Sequence, residues 1–284
     1  MQVTLHTPDT IYTARHLPSW LLLSGSSGFV NGFAFLACQQ FVTHVTGTVT
    51  RAGLEMRDFG IAAEYVIVFA SFVLGAAAAV VLVQARARKD APDRWLTPLF
   101  GVALILATVA VVGHFGGFDP IGATVASDPP PVLLLSLLAF ASGLQNAAVA
   151  STTSMSVRTT HLTGPTTDIG MLLGAACVSA GPGRRPALAG AALRGGMVLS
   201  FMLGAFLAVV ASAWAGYLAL LVPTAFVLIA GLLSFFPRWS GRDFQFRPAG
   251  TSPPPSGKLA GLPSDARPKG EDARKEEADI PTDR

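Results

Sequence analysis

WLLLSGSSGFVNGFAFLAC, residues 20–38, decides the fold class. Its nineteen residues include no Asp, Glu, Lys, Arg or His, and about 20 helical residues at 1.5 Å each cross the hydrocarbon core of a bilayer. Gly25, Gly28 and Gly32, with Ser24 and Ser27, place small side chains along one stripe. The Gly28-to-Gly32 spacing is the interval at which two membrane helices approach backbone to backbone, so packing is the role assigned to these glycines. Asn31 differs from them. Lipid offers an amide no partner, so Asn31 must face protein or a water-filled space.

Five further stretches of spanning length follow at Ala62–Ala85, Trp95–Val112, Val132–Ala150, Gly195–Ala213 and Ala215–Phe236. The predicted fold is therefore all-α, an integral membrane helical bundle of six spans, with the transmembrane domain over 20–237 and the lipid bilayer as its surroundings. The composition agrees. Of 284 residues 51% are hydrophobic and 13% charged, where a soluble domain carries about 25% charged residues. Trp20, Trp95, Trp214 and Trp239 all fall at predicted span ends, where an indole suits the headgroup layer.

The charges also report sidedness. Arg238–Arg284 holds 17 of the 37 charged side chains and is rich in proline; such a segment buries too little apolar surface to offset its chain entropy, so 238–284 is expected to be a disordered tail. Residues 1–19 are polar and lack a basic region running into a short apolar core, so no removable signal peptide is read there. With that segment inside, the inner loops receive Arg86, Arg88, Lys89, Arg94, Arg158, Arg184, Arg185 and Arg194, and the outer ones only Arg51 and Arg57. The bias places both termini in the cytoplasm and the protein in the cell (inner) membrane. The net charge of +3 forms no basic patch interleaved with aromatics, so no nucleic-acid partner is expected. Cys38 and Cys177 stand apart in apolar sequence with no CxxC or His/Cys cluster, and neither a metal nor a cofactor is expected. Oligomerisation is left open.

The core repeats itself. Ser27-Gly28-Phe29-Val30-Asn31-Gly32 matches Ser142-Gly143-Leu144-Gln145-Asn146-Ala147, Thr43-His44-Val45-Thr46-Gly47-Thr48 matches Thr160-His161-Leu162-Thr163-Gly164-Pro165, and Ser71-Phe72-Val73-Leu74-Gly75-Ala76 matches Ser200-Phe201-Met202-Leu203-Gly204-Ala205. The offsets, 115, 117 and 129, keep the same order. Repeat 1 covers about 20–114 and repeat 2 about 131–236. Each has three spans, and an odd number makes the copies face opposite ways, the inverted-repeat arrangement of many secondary transporters.

Between the first two spans of each repeat lies a Thr/Gly-rich segment with the core Thr-His-X-Thr-Gly. Hydroxyls can satisfy the backbone groups freed by a broken helix, and glycine permits a tight turn. Each segment therefore reads as a broken or re-entrant element, with helix resuming after the glycine. The amino-terminal end of a half-helix favours an anionic or strongly polar ligand, to which Thr46, Thr48, Thr163, Thr166 and Thr167 would add hydroxyls. The candidate binding set is Asn31, Thr43, His44, Thr46, Thr48, Gln145, Asn146, Thr160, His161, Thr163, Thr166 and Asp168. His44 and His161 either exchange protons near neutral pH or cap their helices. Asn31, Gln145 and Asn146 either bond between helices or touch solute. Asp168 is placed in a first helical turn, stabilised by the helix dipole. Since no span has an acid at its centre, carboxylate-driven pumping is not supported.

SGFVNGFAFL, THVTGTVTRAG, AFASGLQNAAV and TTHLTGPTTDIG, in this order over about Trp20 to Phe236, make the chain resemble the YoaK family of bacterial integral membrane proteins, a group without established function. The resemblance implies a multi-pass inner-membrane protein and supplies no substrate, cofactor or catalytic residue. The chain departs from the family pattern at Asn31, where an Asp is usual, and at Thr48, where Asn commonly follows the Thr-Gly or Ser-Gly pair. No HExxH, GxSxG or paired intramembrane aspartates point to an enzyme. The expected function is a secondary transporter or facilitator for a small polar or anionic solute. A channel or a structural or accessory membrane protein is the alternative. Reporter fusions at Arg88 and after Arg238 are expected to read cytoplasmic and one at Asp119 external; an external signal at Arg88 overturns this topology.

Overall fold

The computed structural model describes residues 16–84, 96–122, 131–153, 159, 162–179 and 181–235. Residues 1–15, the loop bases Arg86, Arg88, Lys89, Arg94 and Arg158, Trp95, Trp239, Thr160, His161 and the tail 238–284 lie outside the described residues.

Among the described residues every regular element is helical. Helix α1 (Leu17–Cys38) opens on Pro18, whose missing N–H is no loss in a first turn. It stops at Gln39, in the left-handed region with φ 54°, whose N–H closes on the Phe35 carbonyl. Helix α2 (Val45–Leu54) is short. Helix α3 (Phe59–Gln84) starts after Asp58, whose Oδ1 accepts the N–H groups of Gly60 and Ile61 at 3.0 and 3.3 Å and so caps two orphan donors. There follow α4 (Leu96–His114), α5 (Val132–Thr152), α6 (Thr163–Val178), α7 (Arg184–Ala215) and, after a 3-10 turn at Gly216–Leu220, α8 (Leu221–Phe235).

Five stretches are long and apolar enough to cross a bilayer: Leu17–Cys38, Phe59–Val83, Leu96–His114, Val132–Ser151 and Arg184–Leu233. The chain is thus a multi-pass helical membrane protein. The two last expected spans fall within one 50-residue stretch, interrupted where Gly216 takes φ +55°. Helix α7 also starts eleven residues before the expected Gly195. Its opening, RRPALAGAALR, packs on α6, with Gly190 facing Leu172. Large apolar side chains stay exposed along α3 (Val66, Ile67, Val73, Leu74) and α7 (Leu199, Met202, Leu203, Phe206), as helices in contact with acyl chains require. Trp214, 89% exposed at the end of α7, suits the headgroup layer. Trp20 corrects the sequence reading. It is wholly buried in the core beside the His16 ring, because α1 is covered on several sides by other helices.

Two close helix pairs organise the bundle, α1 with α7 and α3 with α5. In the first, a Cβ on Gly28 would strike the Phe201 backbone and one on Gly204 the Gly25 backbone. In the second, a Cβ on Gly143 would strike Phe72 and one on Gly75 would strike Phe140. These are the same contacts made twice, since Gly28 matches Gly143 and Gly204 matches Gly75 in the repeats. The α1–α7 pair is further tied by Ser24 Oγ donating to the Met197 carbonyl (2.8 Å) and Ser200 Oγ to that of Leu21 (2.7 Å). Gly28→Ala and Gly143→Ala are each expected to lower stability by about 1–3 kcal/mol, the usual cost of overpacking. Gly170→Ala and Gly174→Ala in α6, where a Cβ meets nothing within 4 Å, should hold or slightly raise it. Thermal unfolding of detergent-purified protein checks both.

Candidate functional site

The polar cavity starts from one amide. Asn31 in α1 uses its Oδ1 to accept the Thr43 backbone N–H at 3.1 Å, which pins the turn between α1 and α2. Beyond that turn Phe41 stacks on Phe35 with ring centroids 4.7 Å apart and meets the His44 ring edge-on at 6.5 Å. Helix α2 then begins at Val45, before Gly47 rather than after it. The sequence reading takes this glycine as the break, but it lies inside the first turn. Its use is steric: a Cβ there would stand 2.5 Å from His44 Nδ1, so glycine lets the imidazole fold over the helix start. In the second segment α6 likewise starts at Thr163, ahead of Gly164.

These two helix starts border one cavity of about 240 Å³. Phe41, Thr43, His44, Val45 and Thr46 line it from the first segment, Leu162 and Thr163 from the second, and Asn31 and Phe201 from α1 and α7. Neither α2 nor α6 has a side-chain cap at its N-terminus, and neither first turn holds an acid. The first-turn N–H groups, with their partial positive charge, are therefore left for solvent or ligand. Among the described residues no Asp, Glu, Lys or Arg lines the cavity. Its polar lining is the Asn31 amide, the hydroxyls of Thr43, Thr46 and Thr163 and the His44 imidazole, beside the rings of Phe41 and Phe201.

The structure thus gathers Asn31, Thr43, His44, Thr46 and Thr163 of the candidate set. Others stand apart. Thr48 bonds to the His44 carbonyl at 3.3 Å and faces a separate small recess with Gln40, Glu64 and Tyr65. Thr166 is exposed on α6, and its N–H closes on the Leu162 carbonyl. Gln145 is buried and ties α5 to α1, Nε2 donating to the Leu23 carbonyl (2.9 Å) and Ser27 Oγ (2.8 Å), with Thr159 Oγ1 at 3.3 Å. Asn146 Oδ1 is buried without a hydrogen-bond partner. Asp168 is the sixth residue of α6, not part of its first turn, and pairs with Arg194 of α7 at 2.9 Å. Thr160 and His161 lie outside the described residues.

Sequence reasoning missed Phe41, Val45, Leu162 and Phe201 as lining residues. The signal for Phe201 was present, since it sits in the repeated Ser-Phe-X-Leu-Gly-Ala motif whose counterpart packs on a glycine. Arg194 was counted only as a loop charge, although it interrupts an apolar run.

A model of the family described as a protein of unknown function (DUF1275) matches residues 19–233, about three quarters of the chain, and the chain belongs to that family. No curated protein and no solved structure matches it. Gln145→Leu removes a buried donor shared between two helices, and is expected to cost about 1–3 kcal/mol. Asn146→Leu, which loses no bond at Oδ1, should cost less. Unfolding of the two variants side by side decides the point.

Proposed function

We propose that this DUF1275 protein is a secondary transporter or facilitator of the inner membrane, and that the cavity between α2 and α6 holds its small polar or anionic solute. The observation that carries this reading is the meeting of two uncapped helix N-termini, one from each Thr-His-X-Thr-Gly segment, at a single neutral cavity. At 10 and 16 residues, about 15 and 24 Å at 1.5 Å per residue, both helices fall short of the roughly 30 Å hydrocarbon core. In a membrane they act as half-spanning elements, and helix ends at midplane depth are acceptable only where they line a protein-walled space.

Counting α7 and α8 as separate crossings on either side of Gly216 gives six spans. The paired glycine contacts support two three-span repeats of inverted topology, with both termini in the cytoplasm. A site without fixed charge holds its solute weakly, which suits rapid passage more than storage. No carboxylate among the described lining residues repels an anion, and the helix dipoles attract one.

Reconstituted in proteoliposomes, the protein is expected to give saturable flux of small carboxylates above that of neutral polar comparators of equal size. Thr46→Val with Thr163→Val, which removes two hydroxyls at about 0.5–1.5 kcal/mol each, should raise KM roughly tenfold or more. Equal fluxes in native and variant protein, or none in either, would sink the assignment.

A further inference from the structure

A histidine at the start of a helix either caps it or stays free to take a proton near neutral pH, and the geometry at His44 separates the two. The residue occupies the N-cap position of α2, yet its side chain makes no cap hydrogen bond. The bonds it does make belong to its backbone, whose carbonyl accepts the Thr48 N–H at 3.1 Å and the Thr48 hydroxyl at 3.3 Å. Phe41 meets the ring edge-on, and Gly47 gives it room over the first turn of α2. His44 is exposed and lines the cavity. An imidazole so placed can exchange a proton with water and present it to a solute.

Among the described lining residues His44 is the one titratable group. The charged and titratable groups of the surrounding elements stand elsewhere. Cys38 ends α1 and is buried. Arg51 and Glu55 stand at the other end of α2, and Glu64 and Tyr65 of α3 line the separate recess that Phe41 also borders. Asp168 of α6 is paired with Arg194 of α7, whose other cations, Arg184 and Arg185, lie in its opening turn. His161 lies outside the described residues. A proton on His44 therefore joins the partial positive ends of α2 and α6 at one cavity, with no described carboxylate on its wall to offset it. An anion in the cavity supplies that counter-charge. By linkage, proton and anion each strengthen the binding of the other.

We propose that His44 couples the solute to a proton: the cavity takes up one small monoanion of the carboxylate class together with one proton, and the protein is a proton–anion symporter. This deepens the transport reading above and rests on it. On the side of entry the proton passes from water to the ring nitrogen that lacks one. Imidazolium and anion occupy the cavity as a pair, and on the other side both return to water and leave a neutral ring. No covalent bond to the solute forms, and the charge moved is zero. A histidine suits this role because its charge comes and goes with the solute, whereas the charge of Lys or Arg stays.

The probe is pyruvate, whose carboxyl is ionised throughout the neutral range. Its binding to the full chain in nanodiscs is measured from about pH 6 to about pH 8, the interval over which an imidazole discharges. Protons taken up per pyruvate bound are read with a pH indicator in weak buffer. The native Kd is expected to rise roughly tenfold or more across the interval, with proton uptake approaching one per pyruvate at its upper end. In His44→Gln the Kd stays flat within about twofold and uptake vanishes. His44→Arg binds tightly at both ends without uptake, a rescue that a merely structural ring would not give. Glu64→Gln keeps the native slope. In proteoliposomes native pyruvate flux is indifferent to a valinomycin-set potential, and that of His44→Gln follows it. A flat native Kd, a slope that survives in His44→Gln or is lost in Glu64→Gln, or loss of binding in both His44 variants overturns the coupling. So does a failure of pyruvate to bind even at the acid end. The two readings fail separately: proton-linked binding without flux sinks transport alone, and flux with a flat Kd sinks the coupling alone.

Discussion

A methyl group on Gly28, Gly75, Gly143 or Gly204 would occupy space already taken by the backbone of a neighbouring helix, and the rest of the bundle follows from that closeness. In lipid the hydrophobic effect does not hold helices together, since acyl chains are as apolar as leucine; dispersion contact and interhelical hydrogen bonds must do so. Close approach increases both. With α1 and α7 backbone to backbone, Ser24 and Ser200 each reach a carbonyl of the facing helix. The α3–α5 pair has the glycines without this exchange, for Ser71 bonds within its own helix. The repeats therefore share a steric plan and differ in their polar ties.

What the sequence reveals is what lies close together along the chain. The glycines, the Thr-His-X-Thr-Gly segments and the apolar lengths are local patterns, and the structure places the first segment, and the second from Leu162 on, at helix starts. What it conceals is which face of each helix meets which neighbour. A helix apolar on every side has no stripe to mark its buried face, so nothing in WLLLSGSSGFVNG foretells that Trp20 turns inward while Trp214 stays exposed. That α1 packs on α7 and α5 on α3, each away from its own repeat, is hidden for the same reason. Phe201 reaches the cavity only because Gly28 admits the α7 backbone, a relation across 173 residues. The extra turns of α7 escape the span count because Arg184, Arg185 and Arg194 break the apolar run, while Ala187 and Ala191 are the residues buried there.

Within the candidate set, the residues divide by whether their polar atoms are already engaged. Gln145 is the most deeply buried amide, and its donors are taken by α1 and Thr159; it is a tie between helices. Asp168 has its cation in Arg194, and neither is among the described residues that line the cavity. Asn31 is half engaged: its oxygen holds Thr43, and its amide nitrogen remains a donor facing the cavity wall. An Asp at this position would accept the same Thr43 N–H but bring a negative charge to the cavity and no donor. The choice of Asn over Asp thus leaves the hydrogen bond to Thr43 unaltered and changes the electrostatic character of the space behind it.

That separation bears on why the cavity is built from backbone ends and neutral side chains. A fixed Lys or Arg at this depth would need a counter-ion or water to offset its desolvation, and would hold an anion strongly enough to slow its release. Helix N-termini supply about half an elementary charge each without an ionised group to bury. Two of them facing one space approach the field of a single cation, while hydroxyls and the Asn31 amide give it direction. The aromatic side, Phe41 and Phe201, keeps part of the wall dry and so preserves the strength of those dipoles. The low charge of the whole core follows from the bilayer itself, since an ionised group among acyl chains needs a partner or water to offset its desolvation.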